Sequence, residues 1–266
     1  MRALCVATLS TLLSSRASLS VRVSGRPLCS EMSALAHALA AVQHRLAAAA
    51  LPSAPAPRLV AVSKTKPVAL LREAYEAGVR DFGENYVQEL VSKAPELPAD
   101  IRWRFIGKLQ SNKCKQLVNG VPGLVAVETV DSLKLARKLD AAVMEAETER
   151  SGLLDVMLQV DTSPWEGTKN GIAVEEVPEL AVAVVAECSH LRLAGLMTIG
   201  APGDSSCFDT LVQCREAVAA KLGVDISALE LSMGMSGDFE EAIKHGSTSV
   251  RVGSSIFGAR DYSAKA

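Results

Sequence analysis

Short apolar segments recur along most of the chain, and each is followed by a stretch with helical spacing. The segments are 59–64 (LVAVSK), 79–84 (VRDFGE), 103–108 (WRFIGK), 124–130 (LVAVETV), 155–162 (DVMLQVDT), 191–200 (LRLAGLMTIG), 229–234 (LELSMG) and 249–255 (SVRVGSS). Several are continuous apolar runs rather than strict alternations, the pattern of strands buried on both faces. The helical stretch 68–77 follows Pro67, a residue suited to a first helical position, and ends before Gly78. Asp131 is placed to cap 132–147, whose charges fall on one side. Further helical patterns cover 174–188, 207–222 and 238–245, the last stopped by Gly246. Upstream, the Ala- and Leu-rich stretch 34–50 reads as one helix before a stiff connector, LPSAPAPR.

Eight βα repeats in about 200 residues favour a single α/β domain, a (β/α)8 TIM-type barrel. A doubly wound sheet expects fewer strands and a Gly-rich first turn, and GxGxxG does not occur. The expected organisation is a leader over 1–30 and a barrel with an N-terminal helix over 31–266.

A barrel gives the strand ends chemical meaning, because active sites of this fold lie at the C-terminal ends of the strands. Lys64 sits where the first strand ends, and an amine ringed by apolar strands tends to lose its proton, as a Schiff base requires. Lys66, two residues on, reads as a solvated loop lysine or as a like charge acting on Lys64. The loops SMGMSGD and RVGSS follow strands seven and eight, where barrels often bind phosphate. There Ser236, Gly253 and Ser254 offer a hydroxyl and close backbone approach, although Gly and Ser also dominate ordinary turns. Arg251 shares a strand face with Gly253 and needs a buried partner, either a ligand or a carboxylate. An amine, an anion cradle and a guanidinium in one mouth suit pyridoxal 5′-phosphate (PLP), with its aldehyde, phosphate and ring nitrogen.

Composition narrows the alternatives. The 266 residues carry a formal net charge of −2 and 4% aromatics, which argues against nucleic acid and against an anionic membrane surface as partners. The basic stretch RWRFIGKLQSNKCK reads as a solvated face rather than an RNA or anion site. Six scattered cysteines lack any CxxC or zinc spacing and read as reduced thiols. The first thirty residues hold four arginines, many serines and no acid. They suit a mitochondrial or plastid transit peptide, a disordered leader or a short secretory signal; Met32 offers a second start.

Six ordered motifs resemble the pyridoxal phosphate homeostasis proteins, which look like the barrel domain of alanine racemase (fold-type III) standing alone. They are AVSKTKP (61–67), FGENYVQEL (82–90), WRFIGKLQSNK (103–113), GLMTIG (195–200), LSMGMSGDFEEAI (231–243) and STSVRVGSSIFGARDY (247–262). The resemblance implies that Lys64 carries PLP as an internal aldimine. It also implies that Ser236, Gly253 and Ser254 hold the phosphate, that Arg251 faces the ring nitrogen and that Asn85 lies near the cofactor; Glu84 and Tyr86 are weaker candidates. Two departures stand out. Arg104 replaces the family's usual histidine, and the loop TSPWEGTKNG (162–171), with Trp165 and Lys169, replaces a TSGEESK-like sequence.

Two functional classes follow. One is an intracellular, monomeric carrier and regulator that hands PLP to apo-enzymes without catalysis. The other is a racemase-like enzyme of fold-type III. Arginine stays charged and would not protonate the ring, and the chain stops a few residues after the eighth strand, at DYSAKA, without room for a racemase's second domain. The first point suits a racemase as well as no catalysis; the second, size, favours the carrier.

Overall fold

The computed structural model describes residues 33–52, 55–146, 152–163 and 171–259. The leader 1–30, Met32, Cys5, Cys29, Tyr262 and residues 164–170 of the divergent loop lie outside them. The strands are β1 (Arg58–Val62), β2 (Asp81–Glu84), β3 (Arg102–Phe105), β4 (Leu124–Val130), β5 (Leu154–Gln159), β6 (Leu191–Met197), β7 (Glu230–Ser232) and β8 (Ser249–Val252). They close a barrel in chain order, all parallel, with β8 paired to β1. The helices are α1 (Ala34–Ala49), α2 (Val68–Glu76), α3 (Val87–Lys93), α4 (Cys114–Gly120), α5 (Leu133–Met144), α6 (Val177–Glu187), α7 (Ser206–Leu222), α8 (Phe239–Lys244) and α9 (Ser254–Phe257).

The two faces of each strand do different work. Outward residues such as Ala61, Phe82, Phe105, Val127, Val156 and Val250 join Leu71, Leu90 and Leu117 of the helices in one apolar cluster. Inside, Asp81, Arg104, Glu128, Ser232 and Arg251 are buried and hydrogen-bonded to one another. α1 packs against α2, α8 and α9, across the seam where β8 meets β1. Its buried stripe is Leu35, Leu39, Val42 and Leu46, and Ser33 caps it by accepting the Ala36 N–H at 3.1 Å. Truncating the fully buried Leu39 to alanine would cost about 2–5 kcal/mol.

The strands end earlier than their apolar runs suggest. β1 stops two residues before Lys64, and β7 stops at Ser232. Thr65 (φ 63°) and Gly234 (φ 93°) explain why, since a left-handed residue cannot continue a parallel ladder. Asp131 is not the cap of α5. Ser132 is, accepting the Leu135 N–H at 3.3 Å while its own hydroxyl donates to Asp131. Pro67 likewise occupies the cap position of α2 rather than its first turn. Among the described residues no helix is long and apolar enough to cross a membrane. In the same set no cluster of three His, Cys, Asp or Glu is placed to hold a metal. Cys114, Cys188, Cys207 and Cys214 are buried and free of disulfides.

Candidate functional site

A cavity of about 400 Å³ opens at the C-terminal ends of the strands. Val62, Ile106 and Met197 form apolar walls, and Lys64, Asn85, Ser236, Arg251, Gly253 and Ser254 all line it. The six residues singled out in the sequence thus share one space, although they come from four separate stretches of chain.

Lys64 sits in a turn held from below. Lys66 N–H donates to Ser63 O at 3.1 Å, and Thr65 N–H donates to Glu89 Oε1 at 2.6 Å. Lys93, only 6% exposed, donates through Nζ to Ser63 O (2.9 Å), Glu84 Oε1 (2.8 Å) and Glu89 Oε1 (2.5 Å). Ser63 Oγ donates to Glu84 Oε1 at 2.7 Å. Burial holds the Glu84 carboxyl above the usual range, while Lys93 and Ser63 pull it back. FGENYVQEL therefore supplies Glu84 and Glu89 to the ion cluster beneath the Lys64 turn and Asn85 to the cavity wall; Tyr86 is exposed. Glu89 and Lys93 were missed in the sequence. Their spacing on α3 was visible, but it reads as an ordinary surface pair.

Asn85 is wedged by a close backbone approach. A Cβ at Gly107 would lie 2.0 Å from Asn85 O, so the motif WRFIGK needs its glycine. Asn85 Oδ1 is buried and has no hydrogen-bond partner among the described residues.

On the far side of β1, Gly253 N–H donates to Ser236 Oγ at 3.1 Å, which ties the loop after β7 to the loop after β8. Ser254 opens α9 and is exposed. Arg251 is 5% exposed and donates from Nη1 to Ser232 Oγ (2.8 Å) and from Nη2 to Thr198 O (2.7 Å). Burial lowers its pKa, and the charges of Glu128 and Asp238 oppose that shift. Among the described residues no carboxylate bonds it directly, so within them it is not half of a simple salt bridge.

Lys66 is not a solvated loop lysine. Its Nζ donates to Phe257 O (2.8 Å) and Ala259 O (2.6 Å). Nor is the basic stretch wholly a solvated face: Arg102 bonds Asp81 at the barrel's lower end, and Arg104 is buried between Asp81 and Glu128.

Comparison with known proteins matches residues 37–261 to the family described as alanine racemase, N-terminal domain. A pyridoxal phosphate homeostasis protein from Bos taurus is 47% identical over 220 residues, covering 79% of each chain. The chain belongs to the pyridoxal phosphate homeostasis protein family. Among solved structures similar to this family member is PipY from Synechococcus elongatus with PLP bound. It is 33% identical, with a TM-score of 0.67, and the match covers 84% of this chain and 100% of that one. Alanine racemase from Corynebacterium glutamicum shares the barrel fold at 16% identity and a TM-score of 0.62; the match covers 86% of this chain and 62% of the racemase.

Proposed function

We propose that this chain binds PLP in the cavity at the strand ends and serves as a carrier and regulator of that cofactor, without robust catalysis. The convergence of Lys64, Asn85, Ser236, Arg251, Gly253 and Ser254 on one cavity of about 400 Å³ carries the reading. That volume is of the usual size for a small-molecule site. The donor set suits the cofactor group by group. Lys64 offers a primary amine to the aldehyde. Ser236, Gly253 and Ser254 offer hydroxyl and backbone N–H groups to the phosphate. Arg251 offers guanidinium N–H groups to the ring nitrogen, and Asn85 Oδ1 is a buried acceptor left for a ligand donor.

Bound there, PLP supplies an aldehyde that reacts reversibly with amines and a ring that withdraws electrons. The protein's own groups restrain that chemistry. Arg251 remains a donor and does not hand a proton to the ring. The described lining residues include no histidine, carboxylate or tyrosine to move a proton opposite Lys64. The second amine, Lys66, is held by two backbone carbonyls. The partners are PLP and the apo forms of PLP enzymes, not nucleic acid or membrane, and the working unit is a monomeric 31–266 barrel. Its compartment is the cytoplasm, or an organelle if residues 1–30 are a transit peptide.

Three measurements test this. The purified protein should be yellow, and borohydride should fix the cofactor to Lys64, located by peptide mass spectrometry; a label on Lys66 moves the site. PLP should pass to an apo-enzyme in the same solution. In D₂O, exchange at Cα of amino acids should stay far below the ordinary enzymatic range. A rate of about 1 s⁻¹ that Lys64→Ala abolishes would instead establish the racemase-like enzyme.

A further inference from the structure

Arg104 does not line the cavity, yet it is the start of a hydrogen-bonded chain that ends there. Its Nη1 donates to Glu128 Oε1 at 3.0 Å, and its Nε donates to Asp81 Oδ1 at 3.3 Å. Glu128 is wholly buried, and its other oxygen accepts from Ser232 Oγ at 2.5 Å. Ser232 Oγ in turn accepts from Arg251 Nη1 at 2.8 Å.

The polarity of this chain is fixed by proton count. A serine hydroxyl has one proton and two lone pairs. Arg251 can only donate, so the Ser232 proton points at Glu128 and a lone pair points at Arg251. That arrangement makes Glu128 an acceptor at Oε2, as it is at Oε1 toward Arg104. A carboxylate inside a barrel is costly to bury unless a cation and hydrogen bonds hold it. Arg104 is the cation in direct contact with it. Thr198 O pins the other end of the Arg251 fork at 2.7 Å. With both terminal nitrogens engaged, the planar guanidinium has one orientation in which to offer its remaining N–H groups to the cavity.

Resting on the PLP reading above, we propose that Arg104 is a positioning residue for the cofactor ring. It acts through Glu128 and Ser232 to fix how Arg251 faces the ring nitrogen. The departure from the family's motif at this position then has a role, which is to anchor the charge that orients Arg251.

The proposal is separable from a purely structural ion network by comparing two ligands. One is PLP, and the other is its carbocyclic analogue with C–H in place of the ring nitrogen. Dissociation constants for both are measured on the full chain, as wild type, Arg104→Met, Arg104→Lys and Glu128→Gln, with thermal unfolding to show which variants are folded. The wild type should prefer PLP by about tenfold or more, the worth of one charge-assisted hydrogen bond. Arg104→Met and Glu128→Gln should shrink that preference to within about twofold while the analogue's affinity barely moves; Arg104→Lys should keep most of it. A folded Arg104→Met or Glu128→Gln with the wild-type preference overturns the relay, as does equal loss of both ligands in every variant. If Arg104→Met does not fold, Glu128→Gln and Arg104→Lys decide on the same criterion. A wild type that binds both ligands equally refutes the relay but leaves the PLP reading intact, whereas one that binds neither refutes both.

Discussion

Glu89 accepts the backbone N–H of Thr65 at 2.6 Å, and Thr65 is in the left-handed region at φ 63°. A β-branched residue there costs about 1–2 kcal/mol, so an external restraint has to hold it. Glu89→Ala should therefore destabilise the protein by about 1–3 kcal/mol in chemical denaturation and lower its PLP content. Adding Thr65→Gly should recover part of the loss, because glycine adopts this backbone without strain. If the glycine gives no more stability in the Glu89→Ala background than in the wild type, Glu89 does not act through the turn.

The buried Lys93 bridges Glu84 and Glu89. Lys93→Met leaves carboxylates in a dry site and should cost about 3–5 kcal/mol. Neutralising Glu84 in the same chain, as Lys93→Met/Glu84→Gln, should restore most of that stability. Denaturation midpoints of the two variants check this, and a double variant no more stable than Lys93→Met alone contradicts it.

Ser236→Ala removes a hydroxyl from the proposed cradle and the acceptor of the Gly253 N–H. PLP binding should weaken by about 1–3 kcal/mol, the cost of leaving a charged ligand one donor short. Pyridoxal, which has no phosphate, should be nearly indifferent. Titrating both ligands decides, and equal losses place the phosphate elsewhere.

Burial pushes the thiols of Cys114 and Cys214 up to about 11 from the usual value near 9. Both should resist iodoacetamide in the native protein at about pH 8 and react once it unfolds. The sign of the linkage follows from the raised folded values. The stability these thiols contribute is complete below about pH 9 and is lost as pH rises through about 11. Peptide mapping after alkylation and denaturation curves at about pH 8 and pH 10 test the two statements.

The barrel was legible because strands buried on both faces leave continuous apolar runs, and eight of them alternate with helical spacing. Their ends were less legible, since LVAVSK keeps its strand-like composition through Lys64 while the backbone turns at Thr65. Lys64, Ser236, Gly253 and Ser254 stood out because loops at strand ends expose their chemistry in a few contiguous residues. The supporting groups did not. Glu89 and Lys93 look like a surface pair on a helix, and Glu128 looks like one polar position in LVAVETV. Whether a polar side chain is buried depends on strands far away in sequence, and a local pattern carries no record of them.

The Lys66 amine reaches the Phe257 carbonyl across a sequence separation of 191 residues, and β1 pairs with β8 beside it. During synthesis the lysine turn therefore leaves the ribosome long before the strand that completes its pocket. On the proposed reading, a nascent chain has the Lys64 amine but not the proposed phosphate cradle, which it gains only when the last strand docks. On that reading cofactor capture is deferred until β8 has been made, and a chain truncated before β8 would present the amine with nothing to select its ligand.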